Sequence, residues 1–147
     1  MLNRFRDVFA SLRRHDVRYV VIGGVAAVLH GVPRATFDVD ILIETTLDNA
    51  SRLLDALAEC NFATAALTTA EDILAHEITI FKDRVRLDVQ TRTPGLLFDD
   101  AWAHRAERTI QDAVFWIASR DDLVQSKRAS GRRIDLEDVR SLEHNES

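Results

Sequence analysis

The 147-residue sequence is short of the residues that cross-link or break a chain: it has one cysteine, two prolines and five glycines. Because Cys60 stands alone, an internal disulfide and a thiolate metal cluster are both excluded. No apolar run approaches the roughly 20 residues of a membrane-spanning helix, and the N-terminus carries Arg4, Arg6 and Asp7 rather than a signal peptide. We therefore expect a cytoplasmic protein that has no membrane partner.

Positive charge is also scarce, since 19 Lys and Arg residues face 24 Asp and Glu residues and the net charge is −5. A protein that holds nucleic acid by bulk attraction needs a surplus of cations on the contacting face, so this class is disfavoured. The C-terminal third still contains a group of cations that could form either a basic face or an ordinary solvated surface: Arg105, Arg108, Lys127, Arg128, Arg132 and Arg133.

Low-complexity segments and internal repeats are absent from the sequence as well. Apolar residues make up 46% of the chain and charged residues 29%, which is typical of a globular protein. The length suits one domain with a sizeable core. We predict a single domain over residues 1–147.

Residues 20–44 contain the most informative pattern, which indicates a strand, a glycine turn, a short helix, a loop and a second strand. The β-branched run Val20–Ile22 stops at Gly23 and Gly24, and Val25–Leu29 continues without a helix breaker. A glycine turn lets a bound group approach the backbone amides closely, and the following helix aims its free N–H groups at the same place.

The second strand of this stretch carries an acidic pair, Asp38 and Asp40. Strand residues alternate between faces, so both carboxylates point one way. The apolar residues Phe37, Val39, Ile41 and Ile43 point the other way. Close carboxylates repel unless a cation lies between them, and magnesium prefers oxygen ligands of this kind. A solvated strand face is the alternative, but the glycine turn just upstream favours a metal site.

A third acid, Asp88, lies on a predicted hairpin formed by Ile78–Phe81 and Val85–Gln90. Alternation places Asp88 on the polar face of its strand, together with Arg86 and Gln90. If this strand neighbours the one with the acidic pair, three carboxylates converge as a two-metal site requires. Alone, Asp88 would be interpreted as an exposed strand aspartate.

These motifs resemble a known family. Gly23-Gly24 followed by Arg34-Ala35-Thr36-Phe37-Asp38-Val39-Asp40 is similar to the signature of the DNA polymerase beta-like nucleotidyltransferase superfamily. The glycine pair, His30-Gly31 and the Arg-x-Thr before the acids resemble its stand-alone bacterial branch. That branch includes the AbiEii-type toxins of type IV toxin–antitoxin systems and small antibiotic nucleotidyltransferases.

The resemblance implies an α+β fold in which helices flank a mixed β-sheet. Two magnesium ions would be held by the candidate catalytic residues Asp38, Asp40 and Asp88, and the amides at Gly23 and Gly24 would cradle the phosphates of a nucleoside triphosphate such as ATP. A nucleoside monophosphate would pass to a hydroxyl of RNA (such as tRNA) or of a protein, and an antitoxin could be a partner. The alternatives are an antibiotic nucleotidyltransferase and a binding module without turnover.

Two cations are further candidates for nucleotide binding. Arg34 lies on the loop before the acidic pair, where its guanidinium could hold phosphates or pair with carboxylates. Lys127 falls on a predicted helix, Leu123–Ala129, which is capped by the Ser-x-x-Asp spacing of Ser119 and Asp122. The segment around Lys127 resembles the tail of the minimal nucleotidyltransferases, in which a lysine approaches the phosphates. The alternative is that Lys127 is an ordinary surface lysine, and this alternative is slightly favoured.

The remaining elements are predicted from periodicity and capping residues. We expect helices from Leu2 to about His15 and Asp16, after Thr46, over residues 69–75, around Phe98–Trp102 and from Asp135, and strands over residues 62–67 and 114–117. His30 and Gly31 are expected to end the short helix in a structural role. The other histidines show no metal-ligand spacing and are expected at the surface: His15, His76, His104 and His144.

Overall fold

The computed structural model describes residues 2–36 and 38–144. The orientation predicted for Phe37 therefore lies outside the described residues. The strands are β1 (Tyr19–Ile22), β2 (Val39–Ile43), β3 (Ile78–Lys82), β4 (Arg86–Gln90), β5 (Ala106–Ile110) and β6 (Ala113–Ile117). The α-helices are α1 (Arg6–Arg14), α2 (Gly23–Leu29), α3 (Leu47–Glu59), α4 (Ala70–Ala75), α5 (Phe98–His104), α6 (Arg120–Ser130) and α7 (Arg133–His144). In the part of the chain that the structure describes, no helix is long and apolar enough to cross a bilayer.

The six strands form one mixed sheet in the order β3, β4, β2, β1, β6, β5. Strand β2 pairs antiparallel with β1 and parallel with β4, and β1 pairs parallel with β6. The outer pairs β3–β4 and β5–β6 are antiparallel. The predicted α+β class with helices around a mixed sheet is thus confirmed.

The main core lies on the face of the sheet that receives Val39, Ile41 and Ile43 from β2 and Leu87 and Val89 from β4. Helices α1 and α3 belong to this core because each carries an apolar stripe at helical spacing. The ring of Phe9 on α1 stacks on that of Phe115 on β6, with centroids 4.3 Å apart. Burial of aromatic side chains of this size is a main source of the fold's stability.

The opposite face of the sheet carries a much smaller apolar cluster. Val20 and Ile22 from β1 and Leu42 from β2 are buried there with Leu96 and Ala101. Because alternation sends Asp40 to the same face as Leu42, this acid points away from the main core. The sheet therefore separates a large apolar core from a polar site on its other side.

Most predicted elements are present, and the capping residues explain several of their boundaries. Thr46 accepts a hydrogen bond from the Asn49 amide at the start of α3, Thr69 and Asp72 form a capping box on α4, and Ser119 caps α6. Gly131, with φ +68°, ends α6 in the left-handed conformation.

Three predictions of secondary structure need correction. The strand expected over residues 62–67 is wrong: Ala63–Leu67 is a 3₁₀ helix, and its alanines favour helical over extended backbone. Strand β5 had not been predicted, because its sequence Ala-Glu-Arg-Thr-Ile is polar, as is usual at a sheet edge. Helix α7 begins at Arg133, two residues before the expected Asp135.

Candidate active site

The three predicted acids meet on the polar face of the sheet. Asp40 on β2 and Asp88 on β4 are directly opposite each other in the parallel register, and Asp38 lies just before β2. All three line one cavity of about 560 Å³. The structure therefore brings Asp38, Asp40 and Asp88 together as the alternation of strand residues predicted.

The negative charge in this cavity shows in the proton affinity of Asp40. Burial, followed by the nearby carboxylates of Asp88 and Asp38, raises the pKa of Asp40 from 3.8 to about 6, although a hydrogen bond from the Gln90 amide opposes the shift. The Gln90 Nε2 atom donates to Asp40 Oδ1 at 3.5 Å. Without a cation from solution, an ionised Asp40 is thus unfavourable in this place.

One cation of the chain already lies among the acids. The Arg86 guanidinium donates from Nε to Asp88 Oδ1 at 2.8 Å and from Nη2 to Asp88 Oδ2 at 3.2 Å. Its Nε is also 3.8 Å from Asp38 Oδ2. Sequence analysis placed Arg86 on the correct face but gave it no role, although the spacing of two residues from Asp88 on one strand is the signal that would have indicated the pair.

The three carboxylates have the chemistry that a divalent cation requires, but their side chains are not arranged to enclose one. Carboxylate oxygens are the ligands that magnesium prefers, and the pKa of Asp40 is raised first by burial and then by the neighbouring carboxylates, whose charge a cation would offset. Within residues 2–36 and 38–144, however, no three acidic, histidine or cysteine side chains are arranged to enclose a metal. Asp88 is paired with Arg86 instead. Of the three acids, Asp88 is the one held in a guanidinium fork, so the carboxylates of Asp38 and Asp40 are the more available to a ligand.

Space beside the acids depends on the glycine pair. Gly23 has φ +72°, and a Cβ atom at this position would lie 2.5 Å from Asp40 Oδ2. A Cβ at Gly24 would lie 3.0 Å from Arg34 Nη2 and 3.2 Å from Thr36 Oγ1. The two glycines therefore keep the approach to both the acids and Arg34 open, as the turn predicted from sequence requires.

Arg34 pairs with a carboxylate, but with that of Asp138 rather than with the acidic pair, Asp38 and Asp40, that follows it in the sequence. Its Nε and Nη2 donate to the two oxygens of Asp138 on α7, at 3.1 and 2.9 Å. Such a fork fixes the plane of the guanidinium. Arg34 also lines the cavity with the three acids, so its position is compatible with a contact to phosphates. That contact stays a prediction.

Lys127 is only 5% exposed, so the interpretation of this residue as a surface lysine is wrong. Its Nζ atom donates to Asp138 Oδ2 at 2.9 Å and to Asp135 Oδ1 at 3.2 Å, and the residue lines the same cavity as the three acids. An ammonium group has three donors, so one remains for a ligand in the cavity. A role in binding nucleotide stays a prediction.

Two buried aspartates of α7 hold these cations, and sequence analysis had treated them only as helix-starting residues. Asp138 bridges Arg34 and Lys127, while Asp135 also accepts from Ser130 Oγ at 2.5 Å and from Arg132 Nε at 2.8 Å. Although burial opposes it, the hydrogen bonds from Ser130 and Arg132 lower the pKa of Asp135. The spacing of three residues between Asp135 and Asp138 puts both side chains on one face of α7, and this was the sequence signal that could have indicated their shared role.

Comparison with known proteins identifies the family and the fold of the chain. A family model described as "nucleotidyltransferase of unknown function (DUF6036)" matches residues 3–145. The chain belongs to this nucleotidyltransferase family. A solved structure from Thermotoga maritima, given a provisional nucleotidyltransferase assignment, is similar in fold: the TM-score is 0.59 at 16% identity, over 95% of this chain and 90% of that one. No curated protein matches the chain.

The cations of the C-terminal third, which could form either a basic face or an ordinary solvated surface, are largely engaged in contacts in this member of the nucleotidyltransferase family. Lys127 is buried, and the Arg105 guanidinium lies 3.7 Å from the ring centroid of Trp102. Arg128 pairs with Glu143, and Arg132 with Asp135. Lys127 and Arg105 thus serve internal contacts, while Arg128 and Arg132 are exposed cations whose charges are paired with carboxylates.

The histidines agree with the structural roles expected for them. His30 Nε2 lies 2.8 Å from the Ala118 carbonyl oxygen, which ties the end of α2 to the segment after β6. Burial lowers the pKa of His30, so the neutral ring that donates to this carbonyl is favoured. Neither His30 nor the other four histidines lines the cavity with the acids.

Proposed function

We propose that the chain is a metal-dependent nucleotidyltransferase that moves a nucleoside monophosphate from a nucleoside triphosphate to a hydroxyl group of RNA or protein. The observation that carries the proposal is the cavity of about 560 Å³ that three carboxylates share with the glycine turn, Arg34 and Lys127. Anionic ligands for a cation and cationic groups for phosphates thus lie in one place, which is what nucleotidyl transfer requires.

Asp38 and Asp40, joined by Asp88, would hold magnesium at one side of this cavity. The metal would supply charge neutralisation on the phosphates and a lowered pKa for the acceptor hydroxyl. In the proposal Asp88 takes the hydroxyl proton as a general base. Attack on the α-phosphorus then releases pyrophosphate, and the open backbone at Gly23 and Gly24 gives room for the leaving phosphates.

Arg34 and Lys127 would position the triphosphate on the other side of the cavity. Asp138 and Asp135 balance their two charges, so the network offers directed N–H donors with little excess positive charge. Its rigidity matters more than its net charge, because fixed donors need no reorganisation when the phosphates arrive. Arg132, which pairs with Asp135 and lines the cavity, adds one further positive charge.

The test uses each of the four nucleoside triphosphates in two forms, labelled at the α- or the γ-phosphate, with magnesium and either total RNA or cell lysate. Nucleotidyl transfer predicts that the α-label, and not the γ-label, becomes attached to a macromolecule. Asp40→Asn should abolish the transfer, while Asp55→Asn on the exposed side of α3 serves as the matched control and should leave it unchanged. Transfer of the γ-label would contradict the proposed reaction.

The same experiment separates the acceptor classes and the non-catalytic alternative. Label that resists protease but not ribonuclease indicates RNA, and the reverse indicates a protein acceptor. If a nucleoside triphosphate with magnesium raises the melting temperature but no label is transferred to either pool, the binding module is the better description.

We further propose, from the resemblance to AbiEii-type proteins, that the chain is the toxin of a toxin–antitoxin pair. Expression of the wild-type chain alone should then arrest growth, and Asp40→Asn should not. Growth that is unaffected by an active wild-type enzyme would contradict the toxin role while leaving nucleotidyl transfer intact.

A further inference from the structure

The Arg86 guanidinium contacts both sides of the candidate metal site. It forms a fork on the two oxygens of Asp88 and reaches Asp38 at 3.8 Å. Asp88 lies on β4 and Asp38 lies just before the neighbouring parallel strand β2, so Arg86 spans the gap between them. A monovalent cation of the chain thus lies where the proposed function requires a divalent one.

A guanidinium fork and a metal ion compete for the same oxygens. Nε and Nη2 of Arg86 each engage one oxygen of Asp88, and a divalent ion held by these oxygens would face a positive charge at van der Waals distance. Occupation of Asp88 by metal and by Arg86 is therefore mutually unfavourable.

The surroundings of Arg86 make its release possible but keep it on the acids when no metal is present. The side chain is 37% exposed, and among the described residues its guanidinium contacts only Asp88 and Asp38. It also lines a second cavity, of about 470 Å³, together with Asp38, the cations Arg4, Lys82 and Arg84 and the further acid Asp83. Because three other cations share this cavity with two acids, like charges disfavour a released position of Arg86 within it.

We propose that Arg86 is a built-in counter-cation, which occupies Asp88 in the metal-free protein and leaves when a divalent ion binds. The inference rests on the proposed function, since it needs a metal at these acids. It assigns Arg86 a positioning role, in which the arginine holds the carboxylates of Asp38 and Asp88 together before the metal arrives. Arg86 also weakens metal binding until the free energy gained from binding metal and nucleotide together exceeds the free energy lost with the ion pair.

The test measures binding of Mn²⁺ alone to the full chain, by electron paramagnetic resonance of the free ion. Arg86→Gln removes the competing charge and should bind Mn²⁺ about tenfold more tightly than wild type or better. Arg86→Lys keeps the charge without the fork and should fall between the two. Arg84→Gln removes an equal charge from the second cavity and should stay within about twofold of wild type, because exposed charges at a distance are screened.

Melting temperatures give a second readout that does not depend on turnover. Without its counter-cation, Arg86→Gln should melt below wild type in chelator, because the acids repel, and should gain more from Mn²⁺ than wild type does. Unchanged or weaker Mn²⁺ binding by Arg86→Gln, or an equal gain in Arg84→Gln, would overturn the inference. If the wild type still transfers nucleotide in that case, the proposed function stands; if no variant binds Mn²⁺ even with nucleotide, both fail.

Discussion

The substitution Asp40→Asn offers the sharpest test of the site, because it keeps the shape of the side chain and removes one charge. The pKa of Asp40 is raised from 3.8 to about 6 in the folded protein, mainly by burial and then by Asp88 and Asp38. A shift of about two units corresponds to about 3 kcal/mol, which is an upper bound because water reaches the cavity. This free energy opposes folding whenever Asp40 is ionised.

The sign of the pH dependence follows from the direction of this shift. Between pH 4 and 6 the folded protein binds more protons at Asp40 than the unfolded chain does, so Asp40 lowers the stability progressively as the pH rises through this window. Below pH 4 the penalty vanishes, and above pH 6 it is complete. In chelator, Asp40→Asn should therefore match wild type at pH 4 and be more stable at pH 7.5, by up to about 3 kcal/mol.

Thermal unfolding of both proteins at the two pH values, in chelator, measures this difference. For a domain of this size each kcal/mol corresponds to roughly 2–4 °C in melting temperature, so the expected gain at pH 7.5 is several degrees. Asp55→Asn, at an exposed position, controls for the general effect of removing a carboxylate. With magnesium and nucleotide the order of wild type and Asp40→Asn should reverse. If Asp40→Asn is equally destabilised in chelator at both pH values, Asp40 is a structural residue and the reasoning is refuted.

Two further substitutions test the network and the glycine turn. Lys127→Met leaves Asp135 and Asp138 without their shared buried cation and should lower the free energy of unfolding, measured in urea, by about 3–5 kcal/mol. The control is Lys82→Met at an exposed position, which should cost less than about 1 kcal/mol. An equally small loss in Lys127→Met would show that the network is not essential to the fold. Gly23→Ala and Gly131→Ala both force a side chain into left-handed backbone, at φ +72° and +68°, and each should lower the free energy of unfolding by about 1–2 kcal/mol. Only Gly23→Ala, whose Cβ would meet Asp40, should abolish nucleotide transfer. An equal loss of transfer in both variants would contradict the argument that the ligand approaches Gly23 closely.

Local patterns were sufficient to predict the acidic part of the site. Alternation along two strands fixes the faces of Asp40 and Asp88, and the glycine turn marks the strand-to-helix junction beside them. These features depend on residues close together in sequence, where periodicity is informative. The capped helices α3, α4 and α6 were predicted for the same reason.

Contacts between distant segments could not be predicted in this way. For Lys127, a candidate for nucleotide binding, a surface position was slightly favoured because a lysine is seldom buried without partners. Its partners Asp135 and Asp138 are identifiable only once α6 packs against α7. The pairing of Arg34 with Asp138 likewise depends on tertiary structure. Edge strand β5 was missed because its position, rather than its composition, makes it a strand.

The bond between Arg34 and Asp138 joins residues 104 positions apart in the sequence. During translation the acids of β2 leave the ribosome long before α7 does, so a nascent chain carries Asp38 and Asp40 while Arg34 still lacks its carboxylate partner. The proposed nucleotide site therefore cannot be complete until α7, which carries Asp138, has been synthesised.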